Sequence, residues 1–251
     1  MKIITLTMNP AVDISVEIDQ LVAGRKLRCS KPVYHAGGGG INAARVIHEL
    51  GGSACAIYAA GGSSGKMLQD LLSEKDIAQQ CITIEGRTRE NITLLEETSG
   101  QLYRLVMPGP EFSDQERDKC LEELKKLEPP EYMVISGSLP MGVPPDFYNQ
   151  IVADMNKSGT RIILDTKAET LKQVAETGVF LIKPNMNELQ ELAGKELNEE
   201  KDQEKAAIDL VDSGKAEVVV VSLGAGGALV ISKELNERVR SPSVPIKSKV
   251  G

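Results

Sequence analysis

The stretch HAGGGGINAARVIHELGG at 35–52 places four consecutive glycines, Gly37 to Gly40, directly ahead of an apolar helical face. Ile41, Ala44, Val46 and Ile47 form that face, and Gly51 and Gly52 end it. Glycine in regular structure costs roughly 0.5–1 kcal/mol relative to alanine, so a run of four is expensive unless something must come close to the backbone. A glycine loop feeding a helix N-terminus presents free N–H groups and the positive end of the helix dipole, a setting for an anion or for hydroxyl groups. A flexible linker is the alternative, and the ordered apolar helix behind the loop argues against it.

Two familiar phosphate loops fit poorly. Gly38 to Ala43 matches G-x-G-x-x-A, but the preceding RCSKPVYHA lacks the pattern of a buried strand, and AIYAAGG downstream offers no carboxylate for a ribose. Gly61 to Met67 approaches a P-loop, yet its spacing is one residue short and Met67 stands where a magnesium-binding Ser or Thr is needed.

Other groups able to do chemistry sit at the ends of apolar runs. These β-rich runs, at 3–6, 54–58, 132–135, 161–164, 179–182 and 217–221, alternate with helical spacers. The rhythm predicts an α/β fold with a mostly parallel sheet and helices on both faces. Five runs finish on polar punctuation: Asn9-Pro10, Ser136-Gly137-Ser138, Asp165-Thr166, Lys183-Pro184-Asn185 and Ser222-Leu223-Gly224. Ligands of open α/β sheets bind beyond the carboxyl ends of the strands, so these tips and the glycine loop are expected to converge.

Two segments, 12–34 and 88–106, instead alternate apolar and polar residues, with a hairpin turn at Ser99-Gly100. They predict a small sheet standing off the main one as a lid. A face carrying Ile14, Val16, Ile18, Leu94 and Tyr103 would either pair with a second copy, giving a homodimer, or pack on its own domain.

With 251 residues, a single α/β domain with an appendage is expected. A net charge of −7 argues against a nucleic-acid surface, so any phosphate must meet a local cationic cluster. Cys29, Cys55, Cys81 and Cys120 lie far apart and the only histidines are His35 and His48, which argues against zinc. No long apolar run suggests a membrane span, and a cytoplasmic location is expected.

Taken in order, TLTMNPAVD (5–13), GGGGINAAR (37–45), TREN (88–91), VMPGP (106–110), ISGSLPMG (135–142), LDT (164–166), KPNMNEL (183–189) and VVSLGAGGAL (220–229) resemble the PfkB, or ribokinase-like, family of sugar kinases, and within it the phosphofructokinase branch. The resemblance implies a three-layer αβα sandwich with a small β-sheet lid. It implies that Asp13, Gly37, Gly38, Gly39 and Asn42 hold sugar hydroxyls, that Arg89 grips the phosphate already on the sugar, and that Ser138 donates to the substrate. Lys183, Asn185, Ser222, Gly224 and Gly227 are implied to line the nucleotide, and Glu188 of the N-x-x-E motif to organise Mg²⁺ through water. Read from the residues alone, Asn185 and Glu188 also form a capping box, and Gly224 to Gly227 a hairpin.

The implied reaction is ATP-dependent phosphoryl transfer to the 1-hydroxyl of a ketohexose 6-phosphate, fructose 6-phosphate giving fructose 1,6-bisphosphate. Tagatose-6-phosphate kinase and 1-phosphofructokinase are the near alternatives, although 1-phosphofructokinases usually carry lysine where Gly39 stands. A non-catalytic sugar-phosphate-binding paralogue is the alternative of another class. The family's catalytic aspartate belongs to a Gly-Ala-Gly-Asp run whose first glycine matches Gly251. No base is therefore expected within 1–251, and these residues alone are expected to be inactive.

Overall fold

The computed structural model describes residues 2–240, so the segment 241–251, with the PIKSKVG stretch that precedes the implied base, lies outside the described residues. In chain order the elements are β1 (Ile3–Thr7), β2 (Ala11–Ile18), β3 (Val33–Gly37), α1 (Gly39–Glu49), β4 (Ala54–Ala60), α2 (Gly62–Ser73), β5 (Gln79–Thr83), β6 (Arg89–Glu96) and β7 (Gln101–Leu105). They continue with α3 (Asp114–Lys125), β8 (Tyr132–Ser136), α4 (Asn149–Lys157), β9 (Arg161–Asp165), α5 (Ala168–Ala175), β10 (Val179–Ile182), α6 (Met186–Ala193), α7 (Glu200–Asp212), β11 (Ala216–Ser222), β12 (Ala228–Ser232) and β13 (Asn236–Val239).

Nine strands form the main sheet in the order β13-β12-β11-β10-β9-β8-β1-β4-β5. From β11 to β5 every pairing is parallel, as the six apolar runs predict; β12 and β13 add an antiparallel edge. Side chains alternate across the sheet. On β4, Ile57 and Ala59 join the cluster that contains Cys120 and Leu124 of α3 and Ile151 of α4. Ala56, Tyr58 and Ala60 of the same strand join Ile41 and Ala44 of α1 and Leu68 and Leu72 of α2. Both faces of β4 are thus buried, which explains its near-continuous apolar sequence.

The smaller sheet has the order β3-β2-β6-β7. Its β2–β6 pair is parallel and its outer pairs are antiparallel. Only part of segment 12–34 is strand: residues 19–32 connect β2 to β3 without regular structure. Asp13 stands opposite His35 and Asn91, Ser15 opposite Thr93, and Thr93 opposite Arg104, so these polar residues share one face. The alternate residues Val12 and Ile14 pack toward Ile41 and Tyr58. The apolar face proposed for a partner is consequently mixed: Ile18 is buried and Ile14 packs on the core, while Val16, Leu94 and Tyr103 are half-buried. No described helix is long and apolar enough to cross a membrane.

Candidate functional site

The glycine run closes on the chain's own strand tips. A β-carbon on Gly37 would sit 2.3 Å from Asp13 Oδ2, one on Gly38 2.7 Å from Thr7 Cγ2, one on Gly39 2.1 Å from Ser136 Oγ, and one on Gly40 2.6 Å from Thr7 Oγ1. Gly38 also has φ +125°, a conformation glycine alone adopts readily. Thr7 Oγ1 accepts from the Ile41 amide at 3.2 Å, which fixes the first turn of α1 to the end of β1. Packing of β1, β2 and β8 around the helix start therefore accounts for all four glycines, and it brings Asp13 and Ser136 against that start.

Asp13 Oδ1 accepts from Asn91 Nδ2 at 2.8 Å, and Asn91 Oδ1 accepts from the Met107 amide at 3.1 Å. Asp13, Asn42 and Asn91 line a cavity of about 390 Å³ between α1 and the small sheet. Arg89, at the start of β6, lies beside it. Its Nη2 donates to the Asn9 carbonyl at 3.0 Å, Nε to the Pro10 carbonyl at 3.4 Å and Nη1 to the Met107 carbonyl at 3.4 Å. A guanidinium has five N–H groups, so one remains on each terminal nitrogen, the pair that makes a bidentate fork. Burial lowers the Arg89 pKa, and the charge of Asp13 opposes that shift. The neighbouring Arg87 is instead paired with Glu90.

From Arg89 a connected set of contacts runs along the strand ends. Asn9, whose carbonyl holds Arg89, donates through Nδ2 to Ser138 Oγ at 3.2 Å. Two residues earlier, Ser136 Oγ donates to Asp165 Oδ2 at 3.1 Å, and Asp165 Oδ1 pairs with Lys183 Nζ at 2.9 Å. Asn185 and Ser222 form a parallel bridge, with the Ser222 amide donating to the Pro184 carbonyl at 2.9 Å. The five polar tips do converge. Asp165 and Asn9, which had no assigned role in the sequence beyond strand punctuation, prove to be the connecting groups. Their signal was only their position at strand ends.

On the nucleotide side, Asn185 and Glu188 make the reciprocal capping box of α6: Asn185 Oδ1 accepts from the Glu188 amide at 3.0 Å and Glu188 Oε2 from the Asn185 amide at 2.8 Å. Gly224 begins a 3-10 turn with φ +57°, and Gly227 has φ +92°, so both glycines are required by the backbone. Next to this turn is a second cavity of about 460 Å³, lined by Glu200, Gln203, Leu223, Ala225, Gly226 and Arg238 among others. Among the described residues no group of three or more His, Cys, Asp or Glu could hold a metal ion.

One sheet between two helical layers, with a glycine-led helix, a carboxylate and an arginine on one side of the strand ends and a lysine with a glycine turn on the other, matches the arrangement that the resemblance to sugar kinases implies. The chain belongs to the family described as pfkB family carbohydrate kinase, whose profile matches residues 4–251. It is 43% identical over 251 residues to the ATP-dependent 6-phosphofructokinase isozyme 2 of Mycobacterium tuberculosis, covering 100% of this chain and 74% of that protein. The crystal structure of phosphofructokinase-2 from Escherichia coli in complex with fructose-6-phosphate superposes with a TM-score of 0.93 at 41% identity, over 98% of this chain and 82% of that one. The tetrameric inhibited form of phosphofructokinase-2 from Escherichia coli gives 0.93, again at 41%, over 99% and 82%.

Proposed function

We propose that these residues form the substrate platform of an ATP-dependent 6-phosphofructokinase, which transfers the γ-phosphoryl group of ATP to the 1-hydroxyl of fructose 6-phosphate. The observation that carries this reading is the chain of contacts from Arg89 through Asn9 to Ser138, and from Ser136 through Asp165 to Lys183. It links the Arg89 guanidinium, at the start of β6 in the small sheet, to the end of β1 in the main sheet, and joins the ends of β8, β9 and β10 where Lys183 stands. The names of the relatives support the same assignment.

Each residue has a task that its chemistry suits. The Asp13 carboxylate accepts protons from sugar hydroxyls while Asn91 holds it in place, and Asn42 supplies both a donor and an acceptor. Gly37, Gly38 and Gly39 let Asp13, Thr7 and Ser136 close on the helix start, whose bare backbone then faces the sugar hydroxyls while Ser138 donates a further bond. The free fork of Arg89 takes the existing phosphate. Lys183, Asn185 and Ser222, with the turn at Gly224 and Gly227, line the ATP phosphates and base, Lys183 being oriented by Asp165. Glu188 keeps one carboxylate oxygen, Oε1, without a hydrogen-bond partner among the described residues, which fits an outer, water-mediated contact to Mg²⁺. When bound, that ion neutralises charge on the transferred phosphoryl group. The proton of the 1-hydroxyl goes to the aspartate that the family places after Gly251.

Two copies pair through the small sheet, whose Val16, Leu94 and Tyr103 are only half-buried; light scattering tests the dimer. A cytoplasmic location suits four free thiols. The deciding assay supplies the full-length protein with ATP, Mg²⁺ and fructose 6-phosphate and follows fructose 1,6-bisphosphate, with tagatose 6-phosphate and fructose 1-phosphate in parallel. Preferred turnover of either alternative sugar reassigns the substrate. Tight sugar-phosphate binding without turnover makes the protein a binding paralogue.

A further inference from the structure

The assignments above give the side chain of Asn9 no chemical task, although it is buried between β1 of the main sheet and β2 of the small one, with 8% of the residue exposed. It reaches across to the end of β8, where its Nδ2 donates to Ser138 Oγ at 3.2 Å. Its Oδ1 is buried and has no hydrogen-bond partner. A β-carbon on Gly109 would sit 2.2 Å from that oxygen, so the VMPGP segment packs directly on the amide edge. Native structures leave few buried acceptors unpaired, and one that persists is held there by its surroundings. Here the holds are Gly109 on one edge of the amide, Ser138 on the other, and Arg89, whose Nη2 fixes the Asn9 carbonyl.

The backbone beside Ser138 is fixed independently. Gly137 donates its amide to the Asp165 carbonyl at 2.9 Å, and its own carbonyl accepts from Thr166 Oγ1 at 2.8 Å. What these contacts leave open is the rotation of the Ser138 hydroxyl. A hydroxyl has one proton to donate and two lone pairs with which to accept. An amide nitrogen can only donate, so the bond from Asn9 occupies a lone pair of Ser138 Oγ and turns the hydroxyl proton elsewhere. Among the described residues no acceptor takes that proton.

We infer that Asn9 is a positioning residue, whose amide holds the Ser138 oxygen as an acceptor and so keeps the hydroxyl proton available to an oxygen of the sugar. This rests on the kinase reading of the site, in which Ser138 donates to the substrate, and adds the group that makes it a donor. Asparagine suits the task and aspartate does not. A carboxylate in the same place accepts from Ser138, which draws the proton inward and leaves only lone pairs toward the ligand. Because the amide is wedged against Gly109, the orientation of Ser138 also depends on the seating of the VMPGP segment.

The test is steady-state kinetics of the full-length protein and of the variants Asn9→Asp, Ser138→Ala and both together, with fructose 6-phosphate and ATP varied in turn. Loss of one neutral hydrogen bond corresponds to about 2- to 13-fold, so KM for fructose 6-phosphate should rise by that factor in each single variant while KM for ATP stays within about twofold. The double variant should be no worse than Ser138→Ala, because without the hydroxyl the side chain at position 9 has nothing to orient. A purely structural role for Asn9, or an action of the new carboxylate on Arg89, would instead add its loss to that of Ser138→Ala, and this result overturns the inference. Gly109→Ala, whose methyl group would push the amide aside, replaces Asn9→Asp if that variant fails to fold, and it too should raise KM only while Ser138 is present. An unchanged KM for fructose 6-phosphate in Asn9→Asp overturns the positioning role and leaves the kinase reading standing. A parent protein that neither binds nor turns over fructose 6-phosphate overturns the kinase reading, and the role of Asn9 with it.

Discussion

Replacing Gly37 with alanine offers a direct measure of what Asp13 does. The new methyl carbon would lie 2.3 Å from Asp13 Oδ2, 2.7 Å from Cγ and 3.0 Å from Oδ1. Relaxed contacts between heavy atoms are near 3.5 Å, so the carboxylate must retreat by roughly 1 Å. That motion breaks its alignment with Asn91, now at 2.8 Å, and with any sugar hydroxyl. Gly37 does not have a left-handed φ, so alanine itself brings no backbone strain there. Asp13 is only half-buried, and the stability loss should fall at the low end of the roughly 1–3 kcal/mol typical of overpacking. Binding should suffer more: a hydrogen bond to a charged group contributes about 1.5–3 kcal/mol, or about 10- to 150-fold in affinity. The assay is a double-mutant cycle on fructose 6-phosphate affinity with Gly37→Ala, Asp13→Ala and both together. If the methyl acts only by displacing Asp13, the double variant binds no worse than Asp13→Ala alone. Effects that simply add would show that Gly37 meets the ligand independently and that the steric reasoning is wrong.

Arg89→Ala should weaken fructose 6-phosphate about 10- to 150-fold and ATP much less, because the lost group is a phosphate fork beside the sugar cavity; equal losses would place it elsewhere. Glu188→Gln should leave the melting temperature almost unchanged, since glutamine also completes a capping box, yet raise the Mg²⁺ concentration needed for half-maximal activity. An unaltered Mg²⁺ titration would reduce Glu188 to its capping role. At pH 8 iodoacetamide should label exposed Cys29 readily and leave Cys120 intact until the protein unfolds, because burial pushes the Cys120 thiol up to about 12 and only the thiolate reacts. Mass spectrometry that found Cys120 alkylated in the native protein would contradict its packing.

The parallel core was legible because strands buried on both faces must be apolar throughout, as in YMVIS of β8 or EVVVVS within β11. β5 escaped notice because QQCIT sits at the sheet edge and buries only Ile82. β12 and β13 escaped because they leave the parallel rhythm and return as an antiparallel pair after the Gly224–Gly226 turn. In the site, residue types at strand ends were readable, and the capping box at Asn185 and Glu188 follows the local rule. Long-range partners were not. Nothing in the sequence says that Asp165 reaches both Ser136 and Lys183, since those contacts depend on the sideways spacing of β8, β9 and β10. Arg45 was visible inside GGGGINAAR but drew no role, because its distinguishing property, a buried donor without a partner, exists only in the folded chain.

The position of β1 also has a consequence for how the chain is made. It lies in the interior of the main sheet, between β4 and β8. β4 follows it within the first 60 residues, whereas β8 starts only at Tyr132. At ribosomal speeds the nascent chain waits on the order of ten seconds between emergence of the first neighbour and of the second. Throughout that interval one border of β1 offers unpaired amides and carbonyls flanked by Ile4 and Leu6, which the finished protein buries almost completely. An open apolar border of this kind recruits other strands. The segment through β4 is thus the part most exposed to premature association during synthesis, and truncated products ending before Tyr132 should accumulate in the insoluble fraction.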